Sequence, residues 1–130
     1  MMKRTLTLMR VAALAALTFS YADAHHAVNS QFDVTKQVEL KGVLTKFENL
    51  NPHCYWFYDV TNAQGTIEHW AIESVAPNAW RRSGLKIKED IVIGKTYTFF
   101  IAPGRDPNAK IGLMLGIQIG DRVITPEGPP

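Results

Sequence analysis

Three observations predict a mainly β protein. After residue 36, apolar and aromatic residues alternate with polar ones in a series of short runs separated by Gly, Pro, Asn and Asp. Only one interval combines the proline start and glycine stop of a helix. The order strand, strand, strand, short helix, strand, strand, with a bend in the first strand, is that of a small OB-like five-stranded barrel. A small open β-sandwich is the alternative arrangement of the same elements.

The first strand is read from Gln37 to Glu48. Val38 and Leu40 share one face, whereas after Gly42 the apolar positions become Val43 and Phe47, so the phase slips by one at the glycine. A bulge or sharp bend at Gly42 is the expected cause, because that is how a long strand curls round a small barrel. Asn49-Leu50-Asn51-Pro52 then turns the chain. His53 to Val60, rich in aromatics, is the second strand, and Thr66 to Ser74 the third.

Ala63-Gln64-Gly65 between them fits a three-residue hairpin loop, with glycine at the position that needs a left-handed backbone. That loop pairs Asn62 with Thr66, and by counting outward pairs Asp59 with His69, Phe57 with Ala71, and Tyr55 with Glu73. Cys54, Trp56, Tyr58, Val60, Trp70 and Ile72 then share the opposite, inward face. A slip of one residue would bury His69 and Glu73 among the aromatics, which selects this register.

Pro77 opens the helix, Trp80 turns inward and Gly84 ends it, giving one short helix over 77–83. Its Arg81-Arg82 pair reads as a solvated face. Val92-Ile93-Gly94-Lys95 leads into a strand with Tyr97, Phe99 and Ile101 on one side. Ala102 to Ala109 is a polar loop. In the last long strand Leu113, Leu115, Ile117 and Ile119 alternate with Met114, Gly116, Gln118 and Gly120, and a short edge follows at Arg122 to Thr125.

The N-terminus has a different character. Lys3, Arg4 and Arg10 precede an apolar run from Val11 to Leu17, extended by Phe19, the profile of a secretory signal peptide and too short to span a bilayer. Ala22-Asp23-Ala24 is a cleavage site of the A-x-A kind, and cutting there makes His25 the first residue. Ser20-Tyr21-Ala22 is a second acceptable site, which leaves Asp23 first. The expected organisation is therefore a signal peptide over 1–24, an extended lead-in over 25–36 with Phe32 and Val34 available to anchor it, a barrel over 37–125 and a disordered tail over 126–130. Localisation is expected to be periplasmic or secreted.

Removing the signal takes away Lys3, Arg4, Arg10 and Asp23, so the 14 basic and 12 acidic side chains become 11 of each. The mature domain is neutral, which argues against nucleic acid as a partner. An unknown protein or a small ligand is the expected partner, and the mature chain has no membrane span. Cys54 is the only cysteine, so no intrachain disulfide can form. Within an apolar strand it reads as a small buried hydrophobe.

Four histidines survive export: His25, His26, His53 and His69. With His25 first, its α-amine and ring can chelate a metal together while His26 adds a second ring. With Asp23 first, the amine, two backbone nitrogens and the His25 ring form a square-planar set. Either arrangement suits Cu(II), which prefers tetragonal nitrogen ligation and heads the divalent affinity series. The expected metal ligands are His25, His26 and His53, in the manner of the histidine brace of exported copper proteins, with Glu73 orienting His53 across the strand pair or acting as a weak ligand. His53 and His69 lie six strand positions apart, roughly 20 Å, and cannot share a metal.

Two other readings stand beside this one. The protein is a structural or partner-binding module without metal, or it is a small enzyme using His69 and Asp59. The enzyme reading lacks a nucleophile, since Ser74 falls on the other face. No Gly-rich phosphate loop, G-x-S-x-G, H-E-x-x-H or C-x-x-C is present.

Ala24-His25-His26, Phe32-Asp33, Gly42-Val43, Asn51-Pro52-His53, Trp70-x-x-Glu73, Pro77-Asn78-Ala79 and Gly120-Asp121-Arg122-Val123 together resemble an exported bacterial family catalogued as domain of unknown function 6152. Its members commonly carry tryptophan where this chain has Asn49 and serine where it has Ala27. The resemblance covers essentially the whole mature chain and implies export and a shared fold, with no activity attached.

Overall fold

The computed structural model describes residues 28–50 and 52–126. The predicted signal peptide, His25, His26, Asn51 and the tail residues 127–130 lie outside the described residues. Six strands follow in chain order: β1 (Val38–Leu50), β2 (His53–Thr61), β3 (Ile67–Ser74), β4 (Thr96–Pro103), β5 (Ile111–Ile119) and β6 (Arg122–Ile124). Two helical segments, α1 (Pro77–Arg82) and α2 (Ile87–Asp90), link β3 to β4.

Strands β1 to β5 close into a five-stranded barrel. β2 and β4 flank β1, β3 pairs with β2, and β5 pairs with β4, all antiparallel. A parallel pairing of β3 with β5, Ala71 opposite Ile111 through Glu73 opposite Leu113, completes the ring, and β6 adds to the far part of β5. Closure removes the exposed strand edges that an open sandwich would keep. The barrel reading therefore holds over the sandwich.

The hairpin register is the one the turn dictates. Asp59 faces His69, Phe57 faces Ala71 and Tyr55 faces Glu73. Asn62 N–H donates to Thr66 O at 2.9 Å, and Gly65 takes the positive φ of 81° that its loop requires. Asn62 Oδ1 also accepts from the N–H groups of Gln64 and Thr66, fixing the loop from inside.

The slip in β1 is real but lies elsewhere. Alternation continues through Gly42, which is buried, to Leu44, which is fully buried, while Val43 is exposed. The register against β2 shifts between Leu44 and Lys46, so Thr45 is the extra residue. Gly42 serves a different need: a Cβ there would lie 2.7 Å from the backbone oxygen of Asp59. The glycine lets two strands approach closely, and the bend comes three residues later.

A second bulge changes β5. Ile101 faces Met114 and Phe100 faces Gly116, leaving Leu115 unpaired. Met114 is therefore buried before the bulge and Ile117 after it, and the uniform alternation expected for Leu113 to Ile119 breaks in the middle. Inside, Leu44, Trp56, Ile72, Phe99, Ile101 and Ile117 are all fully buried. Tyr58 stacks on Phe99 with ring centroids 4.0 Å apart.

Pro77 begins α1 as expected, and Trp80 is fully buried against Trp56 at 5.7 Å. The four-residue α2 was not foreseen, because a single turn carries no periodic signal. Its end is fastened by Tyr97, whose hydroxyl donates to Asp90 O at 2.7 Å and accepts from Val92 N–H at 2.9 Å. Of the two expected anchors, Phe32 is 2% exposed and bridges to Gly104, with Asp33 N–H donating to Pro103 O. Val34 is exposed and anchors nothing.

Candidate functional site

The strand register decides which chemistry-bearing side chains meet. Glu73 stands opposite Tyr55, so His53, two residues back on the same outward face, is its diagonal neighbour. His53 Nδ1 and Glu73 Oε1 are in direct hydrogen-bond contact. With an ionised carboxylate on Nδ1, that nitrogen carries the proton and the Nε2 lone pair is left over, the arrangement by which a carboxylate presents a histidine to a metal. Pro52 precedes His53 and ends the turn from β1, placing the ring at the start of β2 where Leu50 pairs with it.

A groove of about 320 Å³ runs beside His53. Val75, Ala76 and Ala79 give it an apolar wall, and the side chains of Asn78 and Arg82 border it. Pro77-Asn78-Ala79 was visible in the sequence, but only the packing of α1 after β3 shows that Asn78 and Ala79 border the same groove as Pro52 and His53. Arg81, adjacent in sequence, borders a different depression with Leu85 and Ile87. The two arginines therefore do not form a single patch.

Immediately behind this face is a buried polar knot. Ser74 is 1% exposed, and its Oγ accepts from Trp56 Nε1–H at 2.8 Å and from Trp80 Nε1–H at 3.0 Å. It donates in turn to Val75 O at 3.3 Å. Cys54 stands opposite Ser74 and is fully buried. Burial pushes its thiol up to about 11, opposed in part by the Ser74 hydrogen bond. At neutral pH the group is a protonated thiol packed in the core, as expected of a small hydrophobe.

At the other end of the same outward face, His69 Nδ1 lies 2.6 Å from Asp59 Oδ1. The pair is exposed, and Ser74 is buried on the opposite face with its hydroxyl committed to two indoles. The six strand positions between His53 and Asp59 keep the two histidine–carboxylate pairs apart.

One polar cluster escaped the sequence reading. Glu68 accepts from Asn62 Nδ2 at 3.3 Å and Trp70 Nε1 at 3.2 Å and pairs with Lys110 at 3.0 Å. The Lys110 contact, helped by Asn62, holds the Glu68 carboxyl below its ordinary range. It ties β3 to the loop before β5, where the barrel closes; sequence separation conceals such a contact.

Among the described residues no three His, Cys, Asp or Glu side chains converge. The expected ligand set is thus divided: His53 and Glu73 are brought together, whereas His25 and His26 lie outside the described residues.

Fold and site define a small closed β-barrel with a carboxylate-oriented histidine on its outer face, beside a groove bordered by a guanidinium group. The chain belongs to the family of unknown function DUF6152, whose model matches residues 13–114. No curated protein and no solved structure matches it.

Proposed function

We propose that this chain is an exported small binding protein that takes up Cu(II) at its processed N-terminus. Cleavage after Ala24 exposes the α-amine of His25 beside its own ring, with His26 adjoining, and His53 supplies a further imidazole. The observation that carries the reading is the Glu73 contact on Nδ1 of His53, which leaves Nε2 for a metal. Residues 28–31 form a helical turn, so the seven residue steps from His25 to the anchored Phe32 reach less than the roughly 25 Å of a fully extended chain. Glu73 acts by orienting the ring.

The test is a Cu(II) titration of protein purified after export, its first residue verified by terminal sequencing. A tight one-to-one complex is expected, with nitrogen ligation in its electron paramagnetic resonance spectrum. One extra residue before His25 should weaken binding sharply, because the α-amine becomes an amide. Glu73→Gln should weaken it by about 10–100-fold without removing any ligand. Equal affinity with and without the extension would sink the proposal. Metal-independent capture of a protein partner, joined to absent copper binding, would favour a partner-binding module instead.

A further inference from the structure

The groove beside His53 has a chemistry of its own that copper does not use. Its wall is built from Val75 and Ala76, the link between β3 and α1, and from Ala79 of α1, with Pro52 closing one side. Three polar side chains border it: His53, held by Glu73, and Asn78 and Arg82, which are both exposed. Among the described residues no carboxylate lies within ion-pair distance of the Arg82 guanidinium. Glu73, the acid at this end of β3, is taken up by His53. A cation thus borders an apolar recess with its donors uncommitted among the described residues.

We infer that this groove binds a small organic carboxylate, the guanidinium of Arg82 and the side-chain amide of Asn78 holding the carboxylate and the Val75–Ala76–Ala79 wall taking its apolar body. The planar fork of arginine matches a carboxylate with two parallel N–H···O bonds, which a lysine could not offer. The volume of about 320 Å³ is at the low end for ligand pockets, so the body is a single ring or a short chain. An inorganic anion would leave the apolar wall without a partner. A neutral ligand of the same shape would leave the guanidinium without one. Neither the N-terminal histidines nor a metal enters this argument.

Benzoate is the probe, with benzamide as its neutral counterpart of nearly equal shape. Protein produced from the full-length gene and freed of metal with EDTA is titrated with each, and backbone amide shifts are followed by NMR. Benzoate should give saturable shifts at Ala76, Asn78 and Ala79, and benzamide should give much weaker ones. Arg82→Gln should weaken benzoate at least tenfold, Arg82→Lys should restore only part of the loss, and Asn78→Ala should have a smaller effect. Arg82 is exposed, so these variants keep the fold, and unchanged amide spectra without ligand verify it. Equal binding of benzoate and benzamide, shifts centred elsewhere, or an Arg82→Gln variant that binds as well as the parent would each overturn the inference. Because the protein is metal-free throughout, failure here leaves the copper reading intact, and failure of the copper titration leaves this one intact.

Discussion

Replacing Ser74 by alanine removes one oxygen and strands two donors. The indole N–H groups of Trp56 and Trp80 both end on that hydroxyl, at 2.8 and 3.0 Å, and both rings are fully buried. No water reaches them without opening the core. A buried donor left without an acceptor costs about 1–3 kcal/mol, whereas the lost serine donation to Val75 O, at 3.3 Å, weighs little. Some relaxation of the rings is expected, so Ser74→Ala should destabilise the fold by about 2–4 kcal/mol, a large share of the roughly 5–15 kcal/mol that holds a domain together. Urea unfolding followed by tryptophan fluorescence measures this directly, with a lower midpoint and an unchanged slope. A double-mutant cycle with Trp80→Phe isolates one of the two bonds and should return a coupling of about 1 kcal/mol. A loss below about 0.5 kcal/mol for Ser74→Ala would refute the reasoning, because it would mean that neither indole N–H is left without an acceptor.

Other perturbations address separate parts of the molecule. Tyr58 is 1% exposed, and its hydroxyl has no hydrogen-bond partner among the described residues, so Tyr58→Phe should be neutral or stabilising by about 1 kcal/mol in thermal unfolding; a clear loss would reveal a hidden partner. Glu68 has its folded pKa lowered below the ordinary 4.5, first by Lys110, so its contribution to stability is present above that pH and is lost as pH falls through the folded value. The parent should therefore exceed Glu68→Gln in urea midpoint at pH 7, and the gap should close as the pH is taken below 4.5. Cys54, fully buried with its thiol pushed up to about 11, should resist a thiol reagent at pH 8 in the native protein and react at once in urea.

The hairpin shows how far local chemistry carries. Gly65 can take a left-handed backbone at the place where a three-residue loop needs one, and that single position sets every pair from Asn62 opposite Thr66 to Tyr55 opposite Glu73. The diagonal meeting of His53 with Glu73 was legible for the same reason. The bulges at Thr45 and Leu115 were not, because both follow from how a strand must bend to close a ring whose partners are remote in sequence.

The sequence by itself determined the strand order, the register of β2 against β3, and the inward side of each aromatic in that hairpin, because alternation and turn residues act over a few positions. Only the tertiary structure decided that β3 and β5 run parallel to seal the barrel, that Ser74 satisfies two tryptophans at once, and that Arg82 borders the groove at His53 while Arg81 borders another. Those outcomes depend on which distant segments share space once the core is packed. No local preference encodes that choice, since each partner's position is fixed by closure of the whole ring.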